Sequence, residues 1–319
     1  MRQASVAMLL LCLICPACQS DLAVEVSQNS ETVPPYEVFE VTFRHDGVYD
    51  DPFHDIIIDT TYTAPSGTEH VVGGFHYGSS EPVEIRGEGR DVEYIYAKQD
   101  LWKARFAPDE LGRWEYEYTF ANAEGEVAAG DGSFDCVEGR ISNPGFLRID
   151  PNNPYRFVFD DGSPYYPIGL QDCWGDGAGC GSAAAGASME GPFRTDNLDK
   201  RPKLPDGPMF VRGPSTSPLN ADLYFRRFAA CGFNFYRFSP ENCSYPLNRN
   251  LDEYLVQQGI MTDELVQMAR RYGMRFMYGI FGYQKVFNED PTDAEGMEKV
   301  KQFLKYSVDR WGAHVDIWE

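Results

Sequence analysis

Period-two alternation over the first part of the chain leaves little choice of fold there. Between residues 22 and 137 apolar and polar side chains alternate in short runs. Examples are Val38-Phe39-Glu40-Val41-Thr42-Phe43, Ile56-Ile57-Ile58-Asp59-Thr60-Thr61-Tyr62 and Trp114-Glu115-Tyr116-Glu117-Tyr118-Thr119-Phe120. Successive side chains of a strand point to opposite faces, so such runs fit strands with one face buried and no helix. Pro65-Ser66-Gly67 and Glu124-Gly125 supply turns between them. Short strands at this spacing predict an all-β, immunoglobulin-like sandwich. The run from Trp102 to Trp114 is its most distinctive part, and its aromatics suit a sandwich core better than a sugar-stacking platform.

The rhythm changes after residues 138–145, where Gly139, Ser142, Asn143, Pro144 and Gly145 mark a linker. Tyr155 to Phe159, Asp160-Asp161-Gly162 and Tyr165 to Leu170 form a hairpin signal, with 166–170 read as a buried strand. Helical spacing follows over 219–231, a strand over 233–238 and a helix over 262–272 with Thr262 as its cap and an acidic first turn. A strand over 274–281, a helix over 293–311 and a strand over 314–318 complete the pattern. Strands alternating with helices predict a parallel sheet. Residues 146–319 therefore read as an incomplete (β/α)8 TIM barrel, about the first four β/α units, since a closed barrel takes roughly 250 residues. On this reading the chain ends within a strand.

The chain opens with Arg2 and an apolar run from Val6 to Ile14. A span needs ~20 apolar residues, so this run suits a signal peptide over 1–20 and an exported protein, with no transmembrane segment expected. Pro16-Ala17-Cys18 resembles a lipoprotein box that would place a lipid anchor at Cys18; ordinary cleavage near Ala17 or Ser20 is the alternative. Both leave the protein extracellular, periplasmic or tethered to the cell envelope. A formal charge of −21 argues against nucleic acid as a partner. Export permits disulfides, and the loops predicted around Cys173, Cys180 and Cys243 favour a bridge among these three, with free buried thiols as the alternative. Beyond the signal segment no C-x-x-C pair occurs, and no Walker loop, dinucleotide fingerprint or G-x-S-x-G elbow is present, so neither a metal nor a cofactor is expected.

Ligands of a β/α sheet gather at the carboxyl ends of its strands. The side chains predicted there are Asp172 and Trp174 after the first strand, Arg237, Glu241 and Asn242 at the second, and Tyr283 and Gln284 after the third. Carboxylates, an arginine, amides and a tryptophan at one rim suit a sugar, whose hydroxyls take polar partners and whose C–H face stacks on an aromatic ring. An ion pair of Arg237 with Glu241 is the purely structural alternative for that arginine.

Gly232-Phe233-Asn234-Phe235-Tyr236-Arg237-Phe238-Ser239-Pro240-Glu241-Asn242-Cys243-Ser244 resembles the second barrel strand of bacterial clan A glycoside hydrolases. Tyr306 to Gly312 and Ile317-Trp318-Glu319 resemble their approach to the fourth. Residues 102–118 resemble the immunoglobulin-like domain of unknown function, of the DUF5060 type, that precedes such barrels. The resemblance implies a retaining mechanism with two carboxylates about 5–5.5 Å apart. It also implies an acid/base in an Asn-Glu pair just beyond Glu319 and a nucleophile on a later strand, so that no catalytic residue lies within this chain; the alternative, Glu319 itself as acid/base, has Trp318 where the Asn should stand. The function expected is a secreted retaining glycoside hydrolase acting on a poly- or oligosaccharide, inactive as this chain alone. A non-catalytic carbohydrate-binding or cell-surface protein is the alternative.

Overall fold

The computed structural model describes residues 23–79, 84–86, 93–95, 99–171, 225–226, 228–238, 254, 256–280 and 292–319. The first half is built from β1 (Glu25–Gln28), β2 (Thr32–Val33), β3 (Phe39–Arg44), β4 (Ile57–Thr63) and β5 (Glu69–Gly78). A small hairpin of β6 (Glu84–Arg86) and β7 (Glu93–Ile95) follows, then β8 (Leu101–Phe106), β9 (Gly112–Asn122) and β10 (Gly125–Cys136). Burial alternates strictly along β3 and β4, as period-two patterning requires.

These strands do not form the two separate sheets of a sandwich. They form one eight-stranded sheet in the order β1-β3-β8-β5-β4-β9-β10-β2, curled into half a barrel. The cause lies in β5. Its residues 69–73 pair with β4, and from Gly74 onward it pairs with β8. Gly73-Gly74 is thus the corner at which the strand passes from one face to the other, a place where glycine permits a tight bend. Curling brings Phe39 of β3 onto Phe134 of β10 at 3.9 Å between ring centroids, with β8, β5, β4 and β9 between them in the sheet. Trp102 and Trp114 are buried in the same core, as the core reading of that aromatic run anticipates.

The second half starts with the antiparallel strands β11 (Leu147–Asp150), β12 (Asn153–Phe159) and β13 (Pro164–Tyr165); Gly162 turns between the last two at φ 83°. Next come β14 (Gly169–Gln171), β15 (Phe235–Phe238), helix α1 (Val256–Arg271), β16 (Arg275–Tyr278), helix α2 (Ala294–Trp311) and β17 (Ile317–Trp318). The parallel strands run in the order β14-β15-β16-β17.

The expected incomplete (β/α)8 TIM barrel is not what forms. The described parallel sheet is open, its strands have two to four residues, and two long helices accompany it. The helices face the curled sheet: Phe75 of β5 belongs to the same core cluster as Phe303, Tyr306 and Trp311 of α2 and Val266 and Ala269 of α1. Helix faces packed against a β-lobe that keeps a second core of its own make a mostly β molecule, not a barrel wrapped in its own helices. The predicted buried strand over 166–170 also differs, because Tyr166 is 80% and Ile168 46% exposed, and regular pairing starts at Gly169.

One buried network joins the halves. Asp263 of α1 takes Arg310 Nη2 at 2.9 Å and Arg105 Nη2 of β8 at 3.0 Å on one oxygen. Its other oxygen takes Trp311 Nε1 at 2.7 Å and Arg310 Nε at 3.2 Å. Burial pushes the Asp263 carboxyl up, but Arg105 and Arg310 outweigh it and hold the group well below the usual carboxylate range. Thr262 is fully buried and sits six residues inside α1, so the predicted cap and acidic first turn are corrected: the helix begins at Val256, and Asp263 is a core anion. The expectation for α2 holds, with Asp293 capping its first turn by accepting from Gly296 N.

Candidate functional site

Parallel pairing aligns the carboxyl ends of β14 to β17 along one rim, where ligands of open parallel sheets bind. Arg237 stands one residue before the end of β15, and Glu319 follows β17 directly. The main chain of Glu319 is fixed twice: its N–H donates to Tyr278 O at 2.9 Å and its carbonyl accepts from Ile280 N at 3.0 Å. Its side chain reaches across β16 to Arg237. Arg237 Nε donates to Glu319 Oε2 at 2.5 Å, and Nη2 pairs with the same oxygen. The side chains are 26% and 40% exposed, so the pair faces solvent.

One residue earlier in the chain than Glu319, Trp318 is 36% exposed and its ring lies 5.3 Å from that of Tyr278. Tyr278 in turn stacks on the buried Trp311 at 5.2 Å. A rigid aromatic column thus supports one half-open ring at the end of β17. Register sets the ring and the arginine on opposite faces of the sheet, since Arg237 pairs with Met277 and Trp318 with Tyr278, so what the two groups share is the rim at the strand ends.

Of the residues predicted for this site, Arg237 is described and lies on the rim, where its partner is Glu319. Asp172, Trp174, Glu241, Asn242, Tyr283 and Gln284 lie outside the described residues. So do residues 1–22, with the expected signal segment and Cys18, and the cysteines Cys173, Cys180 and Cys243. Cys136 and Cys231 are free thiols, the first buried with its pKa pushed up to about 11 by burial and then by Asp109, the second exposed. Among the described residues no cluster of histidine, cysteine and carboxylate groups has metal-binding geometry, and no helix is long and apolar enough to cross a membrane.

Comparison with known proteins fits this geometry at the level of domain and fold. Residues 32–121, from β2 to the end of β9, match a domain of unknown function, DUF5060, so the curled sheet carries a DUF5060 domain. No curated protein matches the chain. Among solved structures, a candidate glycoside hydrolase from Bacteroides vulgatus ATCC 8482 aligns with a TM-score of 0.58 at 16% identity, over 91% of this chain and 49% of that one. The chain therefore spans about half the length of that neighbour, and at this identity the likeness concerns the fold. A family 39 glycoside hydrolase from the gut symbiont Bacteroides cellulosilyticus WH2 aligns with a TM-score of 0.26 at 13% identity, over 92% of this chain and 43% of that one. The Parabacteroides merdae β-glucuronidase aligns with a TM-score of 0.28 at 7% identity, over 92% of this chain and 27% of that one. At those scores neither carries an argument.

Proposed function

We propose that this protein is an exported carbohydrate-active protein of the glycoside hydrolase kind, and that the rim of Arg237, Trp318 and Glu319 belongs to its sugar site. The observation that carries the reading is the solvent-facing Arg237–Glu319 pair at the carboxyl ends of parallel strands, with the half-open Trp318 ring at the end of β17. The DUF5060 domain and the fold shared with a candidate glycoside hydrolase support it. The apolar run from Val6 to Ile14 supports export.

The finer reading is a retaining O-glycoside hydrolase acting on a poly- or oligosaccharide. Retention takes two carboxyl groups about 5–5.5 Å apart. Among the described residues the rim offers Glu319, and Arg237 occupies one of its oxygens. We therefore expect the 319-residue chain to bind glycans and not to cleave them. The test is calorimetric titration of neutral xylo-, cello- and malto-oligosaccharides, with product analysis of the same mixtures. Binding that weakens about tenfold in Arg237→Ala is expected, since a hydrogen bond to a charged group contributes roughly 1.5–3 kcal/mol. Turnover abolished by Glu319→Gln would instead make Glu319 a catalytic carboxylate, and binding indifferent to Arg237→Ala would move the site away from this rim.

A further inference from the structure

A second concave site lies at the opposite, amino ends of the parallel strands. It is a cleft of about 970 Å³ between the curled sheet and the second half. The volume falls at the upper end of small-molecule sites, roughly 300–1,000 Å³. One wall comes from Glu37, Val38 and Glu40, another from the segment 141–144, and the floor from the end of α1, the start of β16 and His314.

The charges on these walls are unequally matched. Four guanidinium groups line the cleft, on Arg105, Arg270, Arg271 and Arg275, against the carboxylates of Glu37 and Glu40. Glu40 is occupied by Lys103 and Arg105, each at 2.7 Å, and Arg275 approaches Asp316 at 3.4 Å. Arg270 has no such partner among the described residues; it donates to two carbonyls, His314 O at 2.9 Å and Tyr36 O at 3.3 Å. Burial is the chief cause that pulls its pKa down from the usual arginine value, with Asp316 opposing. Arg271, the next residue, is exposed, and no carboxylate among the described residues pairs with it. The result is a local excess of cationic donors in a molecule whose formal charge is −21.

His314 is the second, independent observation. It is 4% exposed, it lines the cleft, and neither of its ring nitrogens has a hydrogen-bond partner. Burial first, then Arg105 and Arg270, hold its pKa down at about 3, so the ring is neutral. A neutral imidazole offers one donor and one acceptor, the complement of a hydroxyl group. Two unmet ring nitrogens in a buried position leave an unmade interaction of a kind native structures seldom tolerate.

We infer that this cleft binds an acidic sugar, a uronate unit of an oligosaccharide, with its carboxylate on Arg270 and Arg271 and a ring hydroxyl on His314. The choice of a sugar acid over other carboxylates rests on the carbohydrate reading above; the choice of an anion rests on the cleft itself. Arginine forks match carboxylate geometry. The site is separate from the Arg237–Glu319 rim, which lies at the other ends of the same strands.

The test titrates trigalacturonate, neutral oligosaccharides of equal length and sodium sulfate into the purified protein, with the His314 ring nitrogens followed by NMR. The expected result is trigalacturonate binding that shifts the His314 signals and weakens about tenfold or more in Arg271→Glu. Neutral-glycan binding should stay unchanged in that variant. Arg271 is exposed, so this variant keeps the fold, and His314→Phe checks the hydroxyl contact. Sulfate competing with equal affinity would overturn the sugar assignment. Trigalacturonate binding lost in Arg237→Ala but intact in Arg271→Glu would overturn the cleft and keep the rim. Absence of trigalacturonate binding alongside Arg237-dependent neutral-glycan binding would sink this inference alone. Neutral-glycan binding that ignores Arg237 would sink the rim reading instead.

Discussion

Two arginine–carboxylate groupings, built from the same chemistry, lie in different regions of this molecule. At the junction of the two halves Asp263 is 3% exposed and takes four hydrogen bonds from Arg105, Arg310 and Trp311. At the rim Glu319 is 40% exposed and meets Arg237 through one oxygen. Water, not residue type, separates their roles. In the first case all the partners have been taken out of solvent, so each depends on the others. In the second, solvent can replace either partner, and the pair remains available to a ligand.

The largest expected effect follows from that difference. Asp263→Ala strands two buried guanidinium groups, and removing one partner of a buried pair typically costs about 3–5 kcal/mol. Urea unfolding of the variant should show that loss, with the DUF5060 half and the parallel-sheet half destabilised together, because Phe75 packs into a core they share. A loss below about 1 kcal/mol, or separate transitions for the halves, would break the contrast with the rim.

Acid should strain the junction next. His76 and His314 are buried, and their folded-state pKa values are lowered to about 4 and about 3, in each case chiefly by burial. An unfolded histidine titrates near 6.5, so below that pH the unfolded chain binds protons the native chain refuses. The stability they contribute is complete above about pH 6.5 and falls as pH drops towards their folded values, by about 1.4 kcal/mol per pH unit for each. Asp309 and Asp316 act in the opposite sense, since burial raises both, and that effect belongs to the carboxylate range further down. Stability measured between about pH 6.5 and 5 should therefore decline, and His314→Phe should remove roughly half of the slope. A slope unchanged in that variant would mean His314 is not held neutral by its surroundings.

Much of the junction was hidden from sequence reasoning for a definite physical cause. Asp263 looks like an ordinary acidic residue in a first helical turn, because the preceding residues carry no strong apolar period. In the fold, α1 starts at Val256 and turns Asp263 inward, onto an arginine 158 positions earlier in the chain. No local pattern encodes such a contact. The strands were legible because alternation is local, and so was the extent of the helix from 293 to 311. One sheet or two was not legible, because it hinges on which neighbours the halves of β5 choose at Gly73-Gly74. At the rim, Arg237 was legible as a strand-end arginine. The structural alternative gave it Glu241, the carboxylate nearest in sequence, which lies outside the described residues; the partner described, Glu319, is brought there by parallel pairing through β16. The Arg270-Arg271 pair at the end of α1 carried a signal too, but a basic last turn is also what a helix dipole favours.

The smallest expected effect is the sharpest test of the contrast. Exposed ion pairs contribute about 0–1 kcal/mol, because water solvates both ends and the side chains give up entropy to meet. Arg237→Ala should therefore shift the unfolding midpoint hardly at all, while glycan affinity drops about tenfold. Calorimetry on one preparation reads both quantities. If stability fell instead by as much as in Asp263→Ala with affinity unchanged, the rim pair would be a second structural clamp. Glu319, whose main chain is already hydrogen-bonded to Tyr278 and Ile280, argues against that outcome, since the strand end is held without the side-chain pair.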